Sequence, residues 1–379
     1  MNNNISMHLS WFKEAVKNPD TQLKGYLQNG DRVIGCFPYY VPEELVHAAG
    51  MIPFGIWGFD GTVNLAKEYF PPFYCTIAQM GLEMALQGRL DGLSGVIIPS
   101  LCDTLRPLSQ NFRVAVPQIP FMFLAHPQNR KPAYGIEYAR HQFDLLRSNL
   151  EEIIHSPVEP ESIKRSIGIY NQNRALRRRF VLLAGAHPDA VSPSDRNAVL
   201  KSAYFLKKEE HSAHLSLLCD ELESMPVVEW AGIKVVTSGI IADNKDLLTI
   251  FETRSIAVAA DDVAQESRSF RVDVPDAEDP MTALALWFSL QDDDTILYSE
   301  QPGKRAQYVA DLARQSGADG VVVLMMQFCD PEEMEYPSLK QTLEKEGIPH
   351  VQIWVDQQIQ NLGQANTQLE TLVHMLKDR

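Results

Sequence analysis

The chain has 379 residues, of which 45% are hydrophobic and 22% are charged, a composition typical of folded globular proteins rather than disordered chains. At about 150 residues per domain, this length predicts two or three domains, each large enough for its own core. The formal net charge of −15 would repel a phosphate backbone, so a nucleic acid is excluded as an expected partner.

The start of the chain has neither the cationic region nor the apolar segment of a secretory signal. The longest apolar runs, such as residues 320–326, have the length of a strand. They fall far short of the ~20 residues that span a membrane. We therefore expect a cytoplasmic protein with no membrane partner.

Four short apolar runs in the first third are bounded by Gly, Pro or polar residues, which is typical of buried parallel strands. These predicted strands cover residues 32–36, 52–57, 95–99 and 119–124. Predicted helices lie between them at residues 42–49, 76–86 and 103–112. The alternation predicts an N-terminal α/β lobe over residues 1–137.

Residues 138–224 have a helical pattern with long charged stretches, which predicts a helical connector. The basic run at residues 173–179 (NRALRRR) favours a solvated helix face over a binding patch. Cys219 is surrounded in the sequence by leucines, so it is interpreted as a small buried hydrophobic residue.

The last third repeats the layout of the first and predicts a C-terminal α/β lobe over residues 225–379. Its predicted strands cover residues 234–239, 256–260, 320–326 and 350–355. Its predicted helices cover residues 244–251, 281–289, 305–315 and 331–346.

The two outer thirds also share a local motif. Residues 90–103 (LDGLSGVIIPSLCD) resemble residues 318–330 (ADGVVVLMMQFCD), and both place an apolar strand before a Cys-Asp pair. We interpret this as a structural duplication. The predicted fold class is α/β, with two similar lobes that each contain a small parallel sheet flanked by helices, plus a helical middle segment.

Five cysteines, an odd number in a chain without a secretory signal, argue against a disulfide framework, and no C-x-x-C pair is present. Ligands of open α/β sheets bind beyond the carboxyl ends of the strands. Four of the cysteines map to such ends or to helix starts, namely Cys36, Cys75, Cys102 and Cys329.

A helix start favours the thiolate form of cysteine, which is the form that binds metal ions. At the last of these cysteines, Asp330 is predicted as the N-cap of a helix that continues with Pro331. Thiolates from separate loops suit an iron–sulfur cluster or zinc, and the spacing does not separate the two. Cysteines that only fill the core are the remaining alternative.

Four segments around these cysteines resemble the family of 2-hydroxyacyl-CoA dehydratases and benzoyl-CoA reductases. They are residues 35–58 (GCFPYYVPEELVHAAGMIPFGIWG), 73–79 (FYCTIAQ), 101–112 (LCDTLRPLSQNF) and 327–337 (QFCDPEEMEYP). Shorter similar stretches lie at residues 236–241, 260–268 and 355–358, so the resemblance covers essentially the whole chain. Within the family, the chain is most similar to the smaller, β-type subunits of 2-hydroxyglutaryl-CoA and 2-hydroxyisocaproyl-CoA dehydratases.

The resemblance implies an anaerobic lyase that eliminates water from an (R)-2-hydroxyacyl-CoA to give an (E)-2-enoyl-CoA. Members are heterodimers of related α and β subunits, each able to hold a [4Fe–4S] cluster. A separate ATP-dependent iron–sulfur activator injects one electron, and the thioester becomes a ketyl radical anion that expels the 2-hydroxyl group. The expected partners are therefore an α-type subunit, the activator and an acyl-CoA substrate.

By the same resemblance, Cys75, Cys102 and Cys329 match the cluster cysteines, and Cys36 is either a fourth ligand or a residue beside the cluster. No catalytic residue is identified. Five further side chains either line the crevice between the lobes or are structural, namely Tyr39, Tyr40, His47, Arg106 and His126. Three alternatives stay open: a benzoyl-CoA reductase-type subunit, a non-enzymatic bilobal protein that binds a ligand or metal, and a zinc protein.

Overall fold

The computed structural model describes residues 3–59, 61–292, 294, 296–299, 301, 303–358 and 362–377. Residues 1–2 of the predicted N-terminal lobe and residues 378–379 of the predicted C-terminal lobe therefore lie outside the described residues. No helix in the described part of the chain is long and apolar enough to cross a bilayer.

The first sheet contains four parallel strands. They are β1 (Val33–Cys36), β2 (Ile52–Gly55), β3 (Gly95–Pro99) and β4 (Phe121–Leu124). Their order across the sheet is β2-β1-β3-β4. Most of these strand residues are buried, which explains why the strands appear in the sequence as short continuous apolar runs.

The second sheet has the same topology. Its strands are β5 (Ile233–Gly239), β6 (Ile256–Val263), β7 (Gly320–Met326) and β8 (His350–Val355). They are parallel and follow the order β6-β5-β7-β8, so each strand corresponds in position to one strand of the first sheet. The predicted α/β class with two similar lobes is confirmed.

Helices cover both sheets and form the segment between them. The helices up to the end of the first lobe are α1 (Asn3–Lys17), α2 (Pro19–Gln28), α3 (Glu43–Ala48), α4 (Thr76–Leu86) and α5 (Leu105–Ala115). The middle segment contains α6 (Ala133–Ile154), α7 (Pro160–Ala186), α8 (Pro193–Ser202) and α9 (Lys208–Glu223). The second lobe contains α10 (Lys245–Thr253), α11 (Pro280–Ser289), α12 (Lys304–Gln315), α13 (Asp330–Lys345) and α14 (Gly363–Lys377).

Sequence reasoning did not predict α1, α2 or α14. The signal for α1 was present, because Ile5, Leu9 and Phe12 recur at helical spacing and are buried in one core with leucines of α9. The first helix thus packs on the helical segment. The division of the chain into domains at residues 137/138 and 224/225 stays a prediction.

The two lobes share a continuous core and direct contacts. Ile240, Ile241 and Met326 of the second lobe belong to the core of the first sheet. After β8, the side-chain amide of Gln357 donates a hydrogen bond of 2.7 Å to the carbonyl oxygen of Trp57, which follows β2. Gly58 has φ +90°, and a Cβ atom there would lie 2.3 Å from Gln357 Oε1. Glycine therefore permits the loops after β2 and β8 to approach closely.

Candidate functional site

Three of the predicted ligand cysteines lie at the starts of three helices. Cys75 is the N-cap of α4, Cys329 is the N-cap of α13, and Cys102 lies three residues before α5. Their sulfurs are close enough that the charge of Cys102 acts on Cys75 and the charges of both act on Cys329. We call these residues the three-cysteine group. It spans both lobes, since Cys75 and Cys102 follow strands of the first sheet and Cys329 follows β7.

The members of the three-cysteine group are partly buried, and they pack against the apolar core of the first lobe. Burial raises the pKa of Cys75 to about 12 and raises the pKa values of Cys102 and Cys329 as well. Hydrogen bonds from backbone amides at the helix starts lower the pKa of each of the three thiols. The amides of Ile77 and Ala78, for example, lower the pKa of Cys75. These amides favour the thiolate form that a metal requires.

The chain turns sharply just before Cys329. Phe328 has φ 63°, an uncommon conformation for a bulky residue, and its backbone N–H donates a 3.0 Å hydrogen bond to Glu333 Oε1. Helix α13 begins at Asp330, so the N-cap is Cys329 and the prediction of Asp330 as the cap is wrong. The turn at Phe328 puts the sulfur, rather than the following carboxylate, at the helix start.

Cys36 lies in a different environment. Its thiol donates to the carbonyl oxygen of Ile34 at 3.7 Å, and burial raises its pKa. Its main charged neighbours are Glu43 and Lys208, not the other cysteines. The structure therefore brings three of the four predicted cysteines together and separates the fourth. Its role as a ligand stays a prediction.

Cys36 lines a cavity of about 60 Å³, which we call the Cys36 cavity. The cavity lies where the first lobe, the helical segment and α11 meet, and its charged lining consists of Glu43, Glu44, Arg174, Arg177 and Lys208. Arg174 and Arg177 are 4% and 5% exposed, so the prediction that the basic run forms a solvated face is wrong for these two residues. Helix α7, which carries both arginines, packs against α3.

The other crevice candidates have structural partners. The hydroxyl groups of Tyr39 and Tyr40 both donate to the carboxylate of Asp294, each at 2.6 Å. His126 Nε2 lies 3.1 Å from the carbonyl oxygen of Tyr40, and burial lowers the pKa of His126 to about 4. At neutral pH this imidazole is therefore uncharged.

The last two candidates are less buried. His47 contacts Ser166 Oγ at 3.0 Å and Glu209 Oε1 at 3.1 Å. Arg106 donates from Nε to the carbonyl oxygen of Ser100 at 3.4 Å. These contacts join α3 to the helical segment and α5 to the loop after β3.

Sequence reasoning missed a buried ion-pair network in the second lobe. Arg268 donates to Asp262 at 3.1 Å and to Glu332 at 3.2 Å, and lies 3.7 Å from the carboxylate of Asp294. Arg305 contacts Asp262 at 2.9 Å and Glu332 at 3.4 Å. We call these five side chains the buried ion-pair network.

The buried ion-pair network extends from the two tyrosines to the three-cysteine group. Asp294 holds the hydroxyl groups of Tyr39 and Tyr40, and the backbone amide of Glu332 contacts the sulfur of Cys329. Burial alone would raise the pKa of Asp262, but the surrounding guanidinium groups hold it well below its usual range. The available signal was the stretch at residues 260–268, which resembles the family but carries no motif that predicts a role.

Comparison with known proteins gives a consistent result. The model of the family "HGD-D: 2-hydroxyglutaryl-CoA dehydratase, D-component" matches residues 38–376. The β subunit of (R)-2-hydroxyglutaryl-CoA dehydratase from Acidaminococcus fermentans is 48% identical over 98% of this chain and 100% of its own length. The (R)-phenyllactyl-CoA dehydratase β subunit from Clostridium sporogenes is 41% identical over 96% of this chain and 97% of its own length. One of the subunits of benzoyl-CoA reductase from Thauera aromatica is 28% identical, covering 84% of each chain.

Proposed function

Since the chain belongs to the 2-hydroxyglutaryl-CoA dehydratase D-component family, we propose that it is an iron–sulfur subunit in which Cys75, Cys102 and Cys329 bind a [4Fe–4S] cluster. Its broader role is that of a β-type subunit of a 2-hydroxyacyl-CoA dehydratase, a hydro-lyase component. The higher identities to dehydratase subunits than to the reductase subunit favour dehydration over ring reduction.

The observation that carries the proposal is the three-cysteine group. Iron–sulfur clusters are held by cysteine thiolates. Cys102 raises the pKa of Cys75, and across the boundary between the lobes both raise the pKa of Cys329. Among the described residues, no three His, Cys, Asp or Glu side chains surround one point closely enough to hold a single metal ion. The case that these residues suit a [4Fe–4S] cluster therefore rests on their chemistry. They supply three thiols at three helix starts, in a partly buried position.

When bound, such a cluster would supply one-electron transfer at low potential. The chain's own contribution is to hold and shield it. The amides of Ile77, Ala78, Leu105 and Glu332 reach the sulfurs, and hydrogen bonds to the sulfurs are one of the factors that set a cluster's reduction potential. The three cysteines pack against apolar side chains, and the hydrophobic surroundings of a cluster also tune its potential.

The substrate explains why an electron is needed. The β hydrogen of a 2-hydroxyacyl thioester is not acidic, so a base alone does not start the elimination. One added electron converts the thioester carbonyl into a ketyl radical anion, from which the 2-hydroxyl group leaves. Loss of a β proton and return of the electron then give the (E)-2-enoyl-CoA. The proposed partners are a related α-type subunit and an ATP-dependent iron–sulfur activator, in an anaerobic cytoplasm.

Anaerobic purification together with the α-type subunit tests the proposal. We expect a brown protein with about four iron and four sulfide per chain of this subunit, and an EPR signal after reduction. The isolated subunit with activator, ATP and reductant should not turn over 2-hydroxyacyl-CoA, whereas the heterodimer should. A colourless anaerobic preparation with stoichiometric zinc would contradict the cluster, and ring reduction of benzoyl-CoA without dehydration would contradict the reaction.

A further inference from the structure

The charges around the Cys36 cavity do not cancel. Five charged side chains line it, and four of them form pairs. Arg174 contacts the carboxylate of Glu44, and Lys208 lies 3.0 Å from the carboxylate of Glu43. Arg177 remains, so three cations face two carboxylates and the lining carries one net positive charge.

Arg177 is a buried guanidinium without an ion-pair partner among the described residues. It donates to Ser269 Oγ at 3.3 Å and stacks over the ring of Phe270 at 4.6 Å, and both partners are uncharged. Burial lowers the pKa of Arg177 to about 10, which leaves it charged at neutral pH. An uncompensated buried charge is strongly destabilising, so this position favours a negative counter-charge.

The same cavity holds polar hydrogens without an acceptor. Within the described part of the chain, Tyr170 Oη, Arg174 Nε and Arg177 Nε are buried and have no hydrogen-bond partner. All three residues line the cavity, and Tyr170 is only 3% exposed. Buried donors are almost always satisfied, by protein or by a bound species. A volume of about 60 Å³ admits several water-sized occupants but not a nucleotide or an acyl chain.

We propose that the Cys36 cavity binds one small monovalent anion, of the size of chloride or bromide, between Arg177 and Tyr170. One negative charge balances the one unpaired guanidinium, and the available donors hydrogen-bond the ion. The site joins α7 of the helical segment to the residues after β1 and β2 of the first lobe. The anion is therefore a structural ligand that fastens the helical segment to the lobe, independent of the proposed cluster.

Halide dependence of the intact protein tests the site. Thermal unfolding of the anaerobically purified complex is measured at constant ionic strength in chloride, in bromide and in gluconate, which is too large for the cavity. Chloride and bromide should raise Tm by a few degrees in a saturable way relative to gluconate. Crystals grown in bromide should show one anomalous peak inside the cavity, within hydrogen-bond distance of Arg177 or Tyr170.

Two variants and a matched control locate the effect. Tyr170→Phe removes one donor and should weaken halide affinity about tenfold while the fold persists. Arg177→Met should abolish the halide dependence of Tm. Arg179→Gln is the control on the same helix, because Arg179 pairs with Asp220 and Glu223 at the surface, and it should keep the full halide dependence. Equal Tm values in chloride and gluconate, together with no bromide peak in the wild-type cavity, would overturn the proposal and assign the cavity to water alone.

Discussion

The three-cysteine group and the Cys36 cavity both contain cysteines of the first lobe, yet the chemical surroundings of these cysteines differ. The sulfurs of the three-cysteine group receive backbone amides from helix starts and lie next to apolar side chains. Cys36 lies at the end of β1 beside five charged side chains that mostly pair with one another. Burial raises the pKa in both places, so burial does not distinguish the proposed ligands from Cys36. What distinguishes them is that the proposed ligands lie at helix starts and next to other sulfurs.

The largest expected effect is a difference in iron content between cysteine variants of the two regions. Replacing Cys75, Cys102 or Cys329 singly with Ser should remove most of the iron, because each loss takes one thiolate from a cluster held by both lobes. Cys36→Ser should leave the iron content unchanged, since the main charged neighbours of Cys36 are Glu43 and Lys208 rather than the other cysteines. Iron, sulfide and EPR measurements on anaerobic protein check both.

These substitutions also test the comparison itself. If Cys36→Ser lost the cluster while Cys329→Ser kept it, the three-cysteine group would not be the metal centre. An altered EPR signal with full iron in Cys36→Ser would instead place Cys36 beside the cluster without ligating it.

The next effect concerns the connection between the two regions. Arg268→Met removes a guanidinium that contacts Asp262, Glu332 and Asp294. Asp262 and Glu332 keep their contacts with Arg305, whereas the buried carboxylate of Asp294 loses its cation. We expect a loss of about 3–5 kcal/mol in the free energy of unfolding, measured by urea denaturation. The control is Arg254→Gln, which breaks a surface pair with Glu370 and should cost less than about 1 kcal/mol. Equal costs for the two variants would show that the buried ion-pair network does not stabilise the contact between the lobes.

A smaller effect follows from the buried imidazole beside Tyr40. Burial lowers the pKa of His126 to about 4 in the folded protein, against 6.5 in the unfolded chain. The folded state therefore resists protonation, and the contribution of His126 to stability is complete above pH 6.5. It is lost progressively as the pH falls from about 6.5 to about 4.

Between pH 7 and pH 5 this histidine should account for a loss of about 2 kcal/mol in the free energy of unfolding. His126→Gln should remove that part of the pH dependence while other groups continue to titrate. Urea denaturation of both proteins at pH 7 and pH 5 measures the difference. Identical pH dependence in the two proteins would show that His126 is not held neutral by burial.

The sequence predicted the strands and the placement of the cysteines, and it missed the long-range charge pairs. Strands such as β3 and β7 are continuous apolar runs, so their bounds at Gly95–Pro99 and Gly320–Met326 were predicted to the residue. The basic run was misread because the partner of Arg174 is Glu44, which lies 130 residues earlier in the chain. Arg268 and Glu332 are 64 residues apart, and no spacing rule connects them. Charge pairing of this kind depends on how segments far apart in the sequence pack together, and composition and periodicity do not contain that information.

The smallest expected effect concerns Cys219, a buried cysteine that is not a proposed ligand. Its substitution shows whether the loss of any buried sulfur lowers the iron content. This cysteine is fully buried in α9, where it contacts a core of leucines that includes Leu215, Leu218 and Leu222. Cys219→Ala removes one sulfur atom and leaves a small void, so we expect a cost of about 1 kcal/mol in the free energy of unfolding and no change in iron content. The substitution therefore removes a buried sulfur without touching a helix start or a second sulfur. If Cys219→Ala lowered the iron content as much as Cys75→Ser, iron loss would report general destabilisation, and the distinction between the three-cysteine group and the other cysteines would fail.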